Sequence, residues 1–276
     1  HAVWIYFVIV MSFAFGFFGV HSILWLMRSV VERIRHGRPA KHHGGPAIRR
    51  FTGVDRINHG LMAMSFFGLT ITGLPLLYVD LPWARTLASF LGGVPGAGLL
   101  HRGFAIMLFV NFIIHFAGMG RRLWGCGGLR GLLKTLFGPT SLLPRLKDVK
   151  DCLGMFRWFL IGGARPKFDR WAYWEKFDYF AEVFGSVIIG STGLLLWFPQ
   201  FFAQYLPGWM FNVATLIHGY EALLAIVFIF TVHFFNANLR PGKFPVDDVI
   251  FTGQMPEEEF QDERGEEYEY LKARGE

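Results

Sequence analysis

Residues 54–77 have the sequence VDRINHGLMAMSFFGLTITGLPLL, and residues 174–197 have the sequence WEKFDYFAEVFGSVIIGSTGLLLW. Each stretch is long and apolar enough to cross the roughly 30 Å hydrocarbon core of a bilayer as one helix. At a constant offset of 120 residues, Thr72-Gly73-Leu74 aligns with Thr192-Gly193-Leu194, and Asp55-Arg56 aligns with Glu175-Lys176. The two stretches therefore indicate a duplicated transmembrane helix.

Three further apolar blocks accompany this pair. The five predicted spans are 3–27, 57–79, 100–119, 177–200 and 212–236. Only 17% of the residues are charged, which is below the quarter, about 25%, that is usual for soluble domains. Residues 101–116 also resemble residues 218–234, so the duplicated unit is a helical hairpin. The pattern predicts an all-α integral membrane protein with a four-helix transmembrane bundle plus one extra N-terminal transmembrane helix.

The chain is predicted to have three parts. Residues 1–35 form the extra helix, which is too long for a signal-peptide core and is expected to be retained. Residues 36–240 form the four-helix core, with a basic loop at 121–176, and residues 241–276 form an acidic tail. The mixed apolar and basic character of 129–137 and 142–159 favours short helices in the headgroup region, although it also suits a solvated loop. The Glu-rich tail is expected to be solvated or ordered by a partner.

The charges of the connecting segments alternate along the chain. Residues 28–56 hold eight Lys/Arg and two acids, and residues 121–176 hold twelve Lys/Arg and four acids. Residues 80–99 hold only Asp80 and Arg85, and residues 201–211 hold no charge. The positive-inside rule then predicts a periplasmic N-terminus and a cytoplasmic C-terminus in a bacterial inner membrane.

The same distribution argues against nucleic-acid binding. The net charge of +6 arises from basic residues between the apolar blocks, where membrane topology explains them. The two cysteines, Cys126 and Cys152, lie in the basic loop predicted to be cytoplasmic, where thiols stay reduced. They form neither a CxxC pair nor a CxxCH site for covalent haem attachment.

Six histidines lie within or beside the predicted spans: His21, His59, His101, His115, His218 and His233. A single histidine in a membrane helix is often only an interhelical hydrogen-bonding residue. Here His101 and His115 are 14 residues apart, and His218 and His233 are 15 apart. These separations span roughly 21–22 Å and bring each pair back to about one helix face. Facing helices with this spacing could hold two stacked haems by bis-imidazole ligation, because neutral imidazole is a strong iron ligand.

The spacing pairs His101 with His218 near the outer surface but leaves four candidates near the inner surface. The absence of Glu-x-x-His motifs argues against a diiron carboxylate site. Zinc is disfavoured because no cysteine or carboxylate lies at the same depth as the histidines.

Short motifs add a family resemblance over residues 49–276. The first is Arg56-Ile57-Asn58-His59, which opens a helix that ends in Thr-Gly-Leu, and the second is Leu100-His101, which opens the next helix. The third is the aromatic segment 170–176, and the last is 216–222 followed by Val232-His233-Phe234. In this order and spacing they resemble the cytochrome b (gamma) subunits of respiratory formate dehydrogenase. The chain is more loosely similar to the cytochrome b subunits of nickel–iron hydrogenase and thiosulfate reductase.

The resemblance implies two b-type haems. It implies that His59 and His233 hold the cytoplasmic-side haem and that His101 and His218 hold the periplasmic-side haem. It also implies a quinone site beside the cytoplasmic-side haem, at the approach formed by residues 170–176. There Ala172 and Trp174 replace the family's quinone-contacting Asn and Gly, whereas Glu175 and Lys176 could still act on the quinone.

Other polar groups have two interpretations each. His21 and His115 could hold a third haem, or they could bind water, propionates or the quinone. Arg56 and Arg102 could pair with haem propionates or anchor the topology. Glu182 could carry protons to the quinone, or it could be a snorkelling carboxylate paired with Lys176 or Arg170.

These patterns predict a membrane subunit of a respiratory oxidoreductase complex that is not active alone. Electrons would pass between a periplasmic iron–sulfur or multihaem cytochrome c subunit and a quinone, across the lipid bilayer. The alternatives are a haem-free anchor for a periplasmic enzyme and a histidine-relay proton or ion transporter. Transporters usually have broken helices at the midplane, whereas these histidines cluster near the two surfaces.

Overall fold

A computed structural model describes residues 1–37 and 45–275. Arg38 and Lys41 of the predicted basic segment, and Glu276 at the end of the tail, lie outside this described part. Five helices are long and apolar enough to span a membrane: Ala2–His36, Gly53–Leu77, Gly93–Trp124, Tyr173–Trp197 and Trp209–Leu239. The predicted all-α membrane fold with five spans is therefore confirmed.

The helices follow one another in the predicted order. They are α1 (Ala2–His36), α2 (Gly53–Leu77), α3 (Pro82–Phe90), α4 (Gly93–Trp124), α5 (Leu129–Phe137), α6 (Leu146–Leu160), α7 (Tyr173–Trp197), α8 (Pro199–Phe202), α9 (Trp209–Phe228), α10 (Val249–Thr252), α11 (Glu257–Glu263) and α12 (Gly265–Lys272). Two π-helical segments, Ile229–His233 and Phe235–Leu239, continue α9. Strands β1 (Ala47–Arg49) and β2 (Gln254–Pro256) form one antiparallel pair.

The duplication is visible in the helix boundaries. Helices α2 and α7 both have 25 residues, and their ends coincide at the offset of the sequence repeat. Both begin with the same capping arrangement. The acid at the third helical position accepts a hydrogen bond from the backbone N–H of the residue before the helix. Asp55 accepts from Thr52 at 2.9 Å, and Glu175 accepts from Ala172 at 2.7 Å. The acids of the repeat are thus helix caps, which satisfy N–H groups that a helix leaves unpaired.

Helix α2 packs against α4, and α7 packs against α9, which gives two helical hairpins. Between the hairpins, the main backbone contact within the described residues is that of α2 with α9. The extra helix α1 lies against α9 and α6. Its Phe18 and Trp25 join Met155 and Trp174 in a buried aromatic core. The N-terminal helix is therefore packed onto the bundle on the α9 side.

The basic loop contains helices α5 and α6, as its mixed composition suggests. Helix α6 faces the bundle with Met155 and Phe159 and carries Asp148, which pairs with Lys176 of α7 at 2.9 Å. The loop is thus a folded cap over one end of the bundle.

The acidic tail is folded as well, which differs from the solvated interpretation. Strand β2 pairs with β1, and Met255 and Phe260 form a small core with Phe51. Carboxylates of the tail meet basic residues from distant parts of the chain. Glu267 accepts from Arg170 at 2.8 Å, and Glu263 accepts from Arg240 at 3.1 Å. Composition alone missed this fold because the partners of these acids are far away in sequence.

The carboxylate of Glu263 in the docked tail lies close to several basic side chains. Burial alone would raise its pKa, but Arg240, Lys243, Arg165 and Arg264 together hold the pKa of Glu263 well below its usual value. Because the folded-state pKa is depressed, the ionised carboxylate contributes its full stabilisation above the ordinary glutamate value of about 4.3. That contribution declines as the pH falls below the ordinary value and is fully lost once the pH has fallen through the lower, folded-state value.

We expect Glu263→Gln to weaken tail docking at neutral pH by about 2 kcal/mol, because it removes a charged acceptor from several cations. Limited proteolysis of residues 249–272 should become faster in the variant and lose its acid dependence below pH 4. Glu266→Gln is the matched control, since Glu266 lies three residues away on the exposed side of the tail. Equal cleavage rates for both variants would contradict this account of the tail.

Candidate functional site

Two pairs of histidine rings face each other across the two hairpins. His101 of α4 and His218 of α9 have ring centroids 6.2 Å apart and planes at 68°. His59 of α2 and His233 of the π-helical segment have centroids 6.4 Å apart and planes at 26°. All four rings lie between helices of different hairpins, so the duplicated units meet at imidazole pairs.

The pairs lie at two levels along the bundle. Thr72, which contacts His101, is 13 residues after His59 on α2. The two levels are therefore separated by about 20 Å along the helix axis. The pair of His59 and His233 lies at the end that carries the tail, and the pair of His101 and His218 lies toward the opposite end.

The ring separations fit a metal ion held between two imidazoles. A metal–imidazole nitrogen bond is about 2.0 Å, and a ring atom lies roughly 1.1 Å from the centroid of a ring with bonds near 1.33 Å. Two imidazoles that bind one ion from opposite sides would then have centroids about 6.2 Å apart. The observed 6.2 and 6.4 Å agree with this value at both levels.

A threonine of the repeat lies behind each histidine of the pair formed by His101 and His218. Nδ1 of His101 lies 3.0 Å from Oγ1 of Thr72, and Nδ1 of His218 lies 3.2 Å from Oγ1 of Thr192. Both hydroxyls donate their own proton to a backbone carbonyl four residues earlier. Each oxygen is therefore an acceptor, so each imidazole donates from Nδ1 and keeps the Nε2 lone pair free for a metal.

The glycine that follows each threonine makes room for the ring. A Cβ on Gly73 would lie 2.9 Å from Cε1 of His101, and a Cβ on Gly193 would lie 3.1 Å from Cε1 of His218. The Thr-Gly-Leu motif of the repeat thus forms a seat in which threonine holds the imidazole and glycine lets it lie against the helix.

A carboxylate lies behind one histidine of the pair formed by His59 and His233. Nδ1 of His233 lies 3.2 Å from Oδ2 of Asp178, near the start of α7. His59 is placed by its position on the second turn of α2, six residues after Gly53. The two levels therefore differ in the groups behind the rings.

The remaining histidines bind tyrosines of α7. His21 of α1 is buried and hydrogen-bonded to the hydroxyl of Tyr173, and His115 of α4 lies 3.0 Å from the hydroxyl of Tyr179. The tyrosines are six residues apart and so point about 120° apart around α7. His21 and His115 consequently lie on different sides of α7, and the structure does not bring them together.

The two candidate propionate partners lie at opposite ends of the bundle. Arg102 lies over the ring of Trp197 at 5.6 Å. Arg56 donates to the carbonyl of Phe251 in the tail, whereas its Nε is buried without a partner in the described chain. Arg56 also lines a cavity of about 330 Å³ beside His59. A haem carboxylate next to His59 would supply the partner that Nε lacks.

The three acidic and basic candidates near the quinone approach have different surroundings. Glu175 binds Arg264 at 2.6 Å and Arg50 at 3.3 Å, and Lys176 binds Asp148. Glu182 accepts from Ser186 at 3.0 Å, so it pairs with neither Lys176 nor Arg170. Glu175 and Lys176 help to hold the folded end together, whereas Glu182 stays within the span.

Sequence reasoning identified the histidines but missed the residues that orient them. Thr72 and Thr192 carried a signal, because they align in the repeat, although the motif alone did not connect them to the rings. Asp178 directly precedes Tyr179, the residue that aligns with His59. The sequence did not reveal its contact with His233, because that contact depends on the π-helical segment that continues α9.

The fold and the facing pairs define an all-helical multi-pass membrane protein with imidazole pairs at two levels. No family model matches the chain. Over 191 residues it is 24% identical to the formate dehydrogenase cytochrome b556(fdo) subunit of Escherichia coli strain K12, covering 69% of this chain and 78% of the relative. The subunits of that name from E. coli O6:H1 and O157:H7 match to the same extent. The predicted resemblance to the formate dehydrogenase cytochrome b subunits is confirmed.

We expect Gly73→Ala to displace the His101 ring and to destabilise the protein by about 1–2 kcal/mol through overpacking. The detergent-purified protein should melt at a lower temperature than the wild type. Gly120→Ala is the control, since a Cβ on Gly120 of α4 meets no atom within 4 Å. A similar melting temperature for both variants would show that the seat is not tight.

Proposed function

We propose that this chain is the membrane-embedded b-type cytochrome subunit of a respiratory oxidoreductase complex. It passes electrons across the membrane between a periplasmic redox partner and a quinone. The observation that carries the proposal is the pair of facing imidazoles at each of two levels, with separations that fit bis-imidazole ligation. The E. coli relatives, which are cytochrome b subunits, support the same assignment.

In this proposal His101 and His218 hold the outer haem b, and His59 and His233 hold the inner one. The haems would carry single electrons, and the protein would bind and orient them. The protein's own residues fix the rings. Thr72 and Thr192 keep Nε2 of the outer histidines unprotonated and aimed between the hairpins. Arg56 is the proposed partner of a propionate beside His59.

The charge distribution supports an orientation. The end that carries the tail, α6 and the basic segments holds the ion pairs of Arg50, Arg170 and Arg264. By the positive-inside rule we place this end in the cytoplasm of a bacterial inner membrane. The opposite end, formed by α3, α8 and their loops, then faces the periplasm. An iron–sulfur or multihaem cytochrome c subunit would bind there and exchange electrons with the outer haem.

The quinone is proposed to react at the cytoplasmic end. A cavity of about 220 Å³ lies at the approach to α7, where Phe177 and Phe180 form an apolar wall and Tyr173 and Lys176 also line the space. Reduction of one quinone consumes two electrons and two protons. Glu182 lies two to three turns into α7, two residues after Phe180 of this cavity. It is the proposed proton carrier, because an acid within a membrane span is costly and usually functional. Inward electron transfer with proton uptake from the cytoplasm would build membrane potential.

We expect His101→Ala or His218→Ala to remove one haem per chain and leave the other, since each substitution deletes one of two axial ligands. The purified complex should show a reduced b-type spectrum with two haems per chain in the wild type and one in these variants. His36→Ala, at the exposed end of α1, is the control and should keep both haems.

A colourless wild-type protein with intact folding would overturn the proposal and favour a passive anchor or a histidine-relay transporter. Loss of neither haem in the His101 and His218 variants would overturn the ligand assignment alone.

A further inference from the structure

The two histidine pairs differ in the chemistry behind the rings. At the outer level both Nδ1 atoms face neutral acceptors, the hydroxyls of Thr72 and Thr192. His218 Nδ1 also lies 3.0 Å from the carbonyl of Ile189. At the inner level Nδ1 of His233 faces the carboxylate of Asp178. A neutral acceptor and a carboxylate polarise an imidazole to different extents, so the two levels are electronically unequal.

Asp178 is directed at His233 alone. Its Oδ2 contacts Nδ1, and its Oδ1 is buried with no hydrogen-bond partner in the described chain. The side chain as a whole is partly buried, and a buried carboxylate oxygen without a hydrogen-bond partner costs free energy. Such a costly group inside a membrane helix indicates a role at the histidine that it contacts.

The backbone around His233 is shaped for this contact. The segments Ile229–His233 and Phe235–Leu239 are π-helical, directly after the regular helix α9. The wider π turn rotates the following side chains relative to a regular α-helix, and such turns often occur at functional sites. Here it allows His233 to face His59 with one edge of its ring and Asp178 with the other.

We propose that Asp178 is a positioning residue that fixes the Nδ1–H tautomer of His233 and lowers the reduction potential of the inner haem. The inference rests on the proposed function. A haem iron gains one positive charge on oxidation, and a nearby carboxylate in a medium of low dielectric constant stabilises that oxidised form. The hydrogen bond also makes the imidazole a stronger electron donor to the iron. Asp178 therefore keeps the reduced inner centre a strong electron donor toward the quinone.

The test is a redox titration of the haems in the purified complex that carries Asp178→Asn. Asparagine keeps an oxygen acceptor for Nδ1–H but removes the charge. We expect two haems per chain, an unchanged outer haem, and an inner haem whose ferric-to-ferrous equilibrium shifts toward the ferrous form by about tenfold or more, which is ~59 mV per tenfold for one electron.

Glu182→Gln is the matched control, because it removes a carboxylate from the same helix one turn further along without touching His233. Its inner-haem potential should move by less than half of the Asp178→Asn shift. Asp178→Ala, which also removes the acceptor, should additionally lower the occupancy of the inner haem.

An Asp178→Asn protein with both haems at wild-type potentials, or with the same shift as Glu182→Gln, would overturn the inference while leaving the proposed function intact. A wild-type complex without haem would instead defeat the proposed function.

Discussion

The described bundle depends on imidazole rings that meet in pairs between two copies of one helical hairpin. The two hairpins contact each other mainly through α2 and α9, and these contacts are far fewer than those within each hairpin. Within each hairpin the helices pack tightly, as the close approach of Gly73 and Gly193 to histidine rings shows. Each duplicated half is thus closely packed within itself, and the histidine pairs lie where the two halves face each other.

The second organising element is the charged end. Helix α7 begins between the tail and the basic loop, with Glu175 bound to Arg264 and Arg50, and Lys176 bound to Asp148. A helix whose first turn is fixed on several sides cannot rotate freely. Asp178 follows Lys176 by two residues, so the ion pairs of this end also fix the carboxylate behind His233.

Much of the fold was predictable because bilayer thickness sets helix length and hydropathy reveals it. The predicted starts of the spans at 57 and 177 fall later than the observed Gly53 and Tyr173. The reason is that the first turn of each helix is polar and capped by Asp55 or Glu175, and hydropathy does not register such turns. The tail was misjudged because its carboxylates bind basic residues that composition cannot place beside them.

The histidine pairs could also be anticipated, because helical spacing relates positions on one face and the repeat relates the two halves. The hydrogen-bond partners of the Nδ1 atoms could not be anticipated, since hydrogen bonds between helices change when a helix rotates about its axis by a few tens of degrees. The π-helical turns before His233 change that rotation without any sequence mark such as proline. His21 and His115 show the same limit, because similar depth did not bring them together.

The pairing of β1 with β2 has a consequence for how the protein is made. Residues Ala47–Arg49 leave the ribosome about two hundred residues before Gln254–Pro256, and every helix of the core is synthesised in between. The strand partner of β1 therefore does not exist until the last span has been inserted. The tail can therefore pair with β1 only after the last span has been synthesised, so it closes this end of the bundle around a completed set of helices.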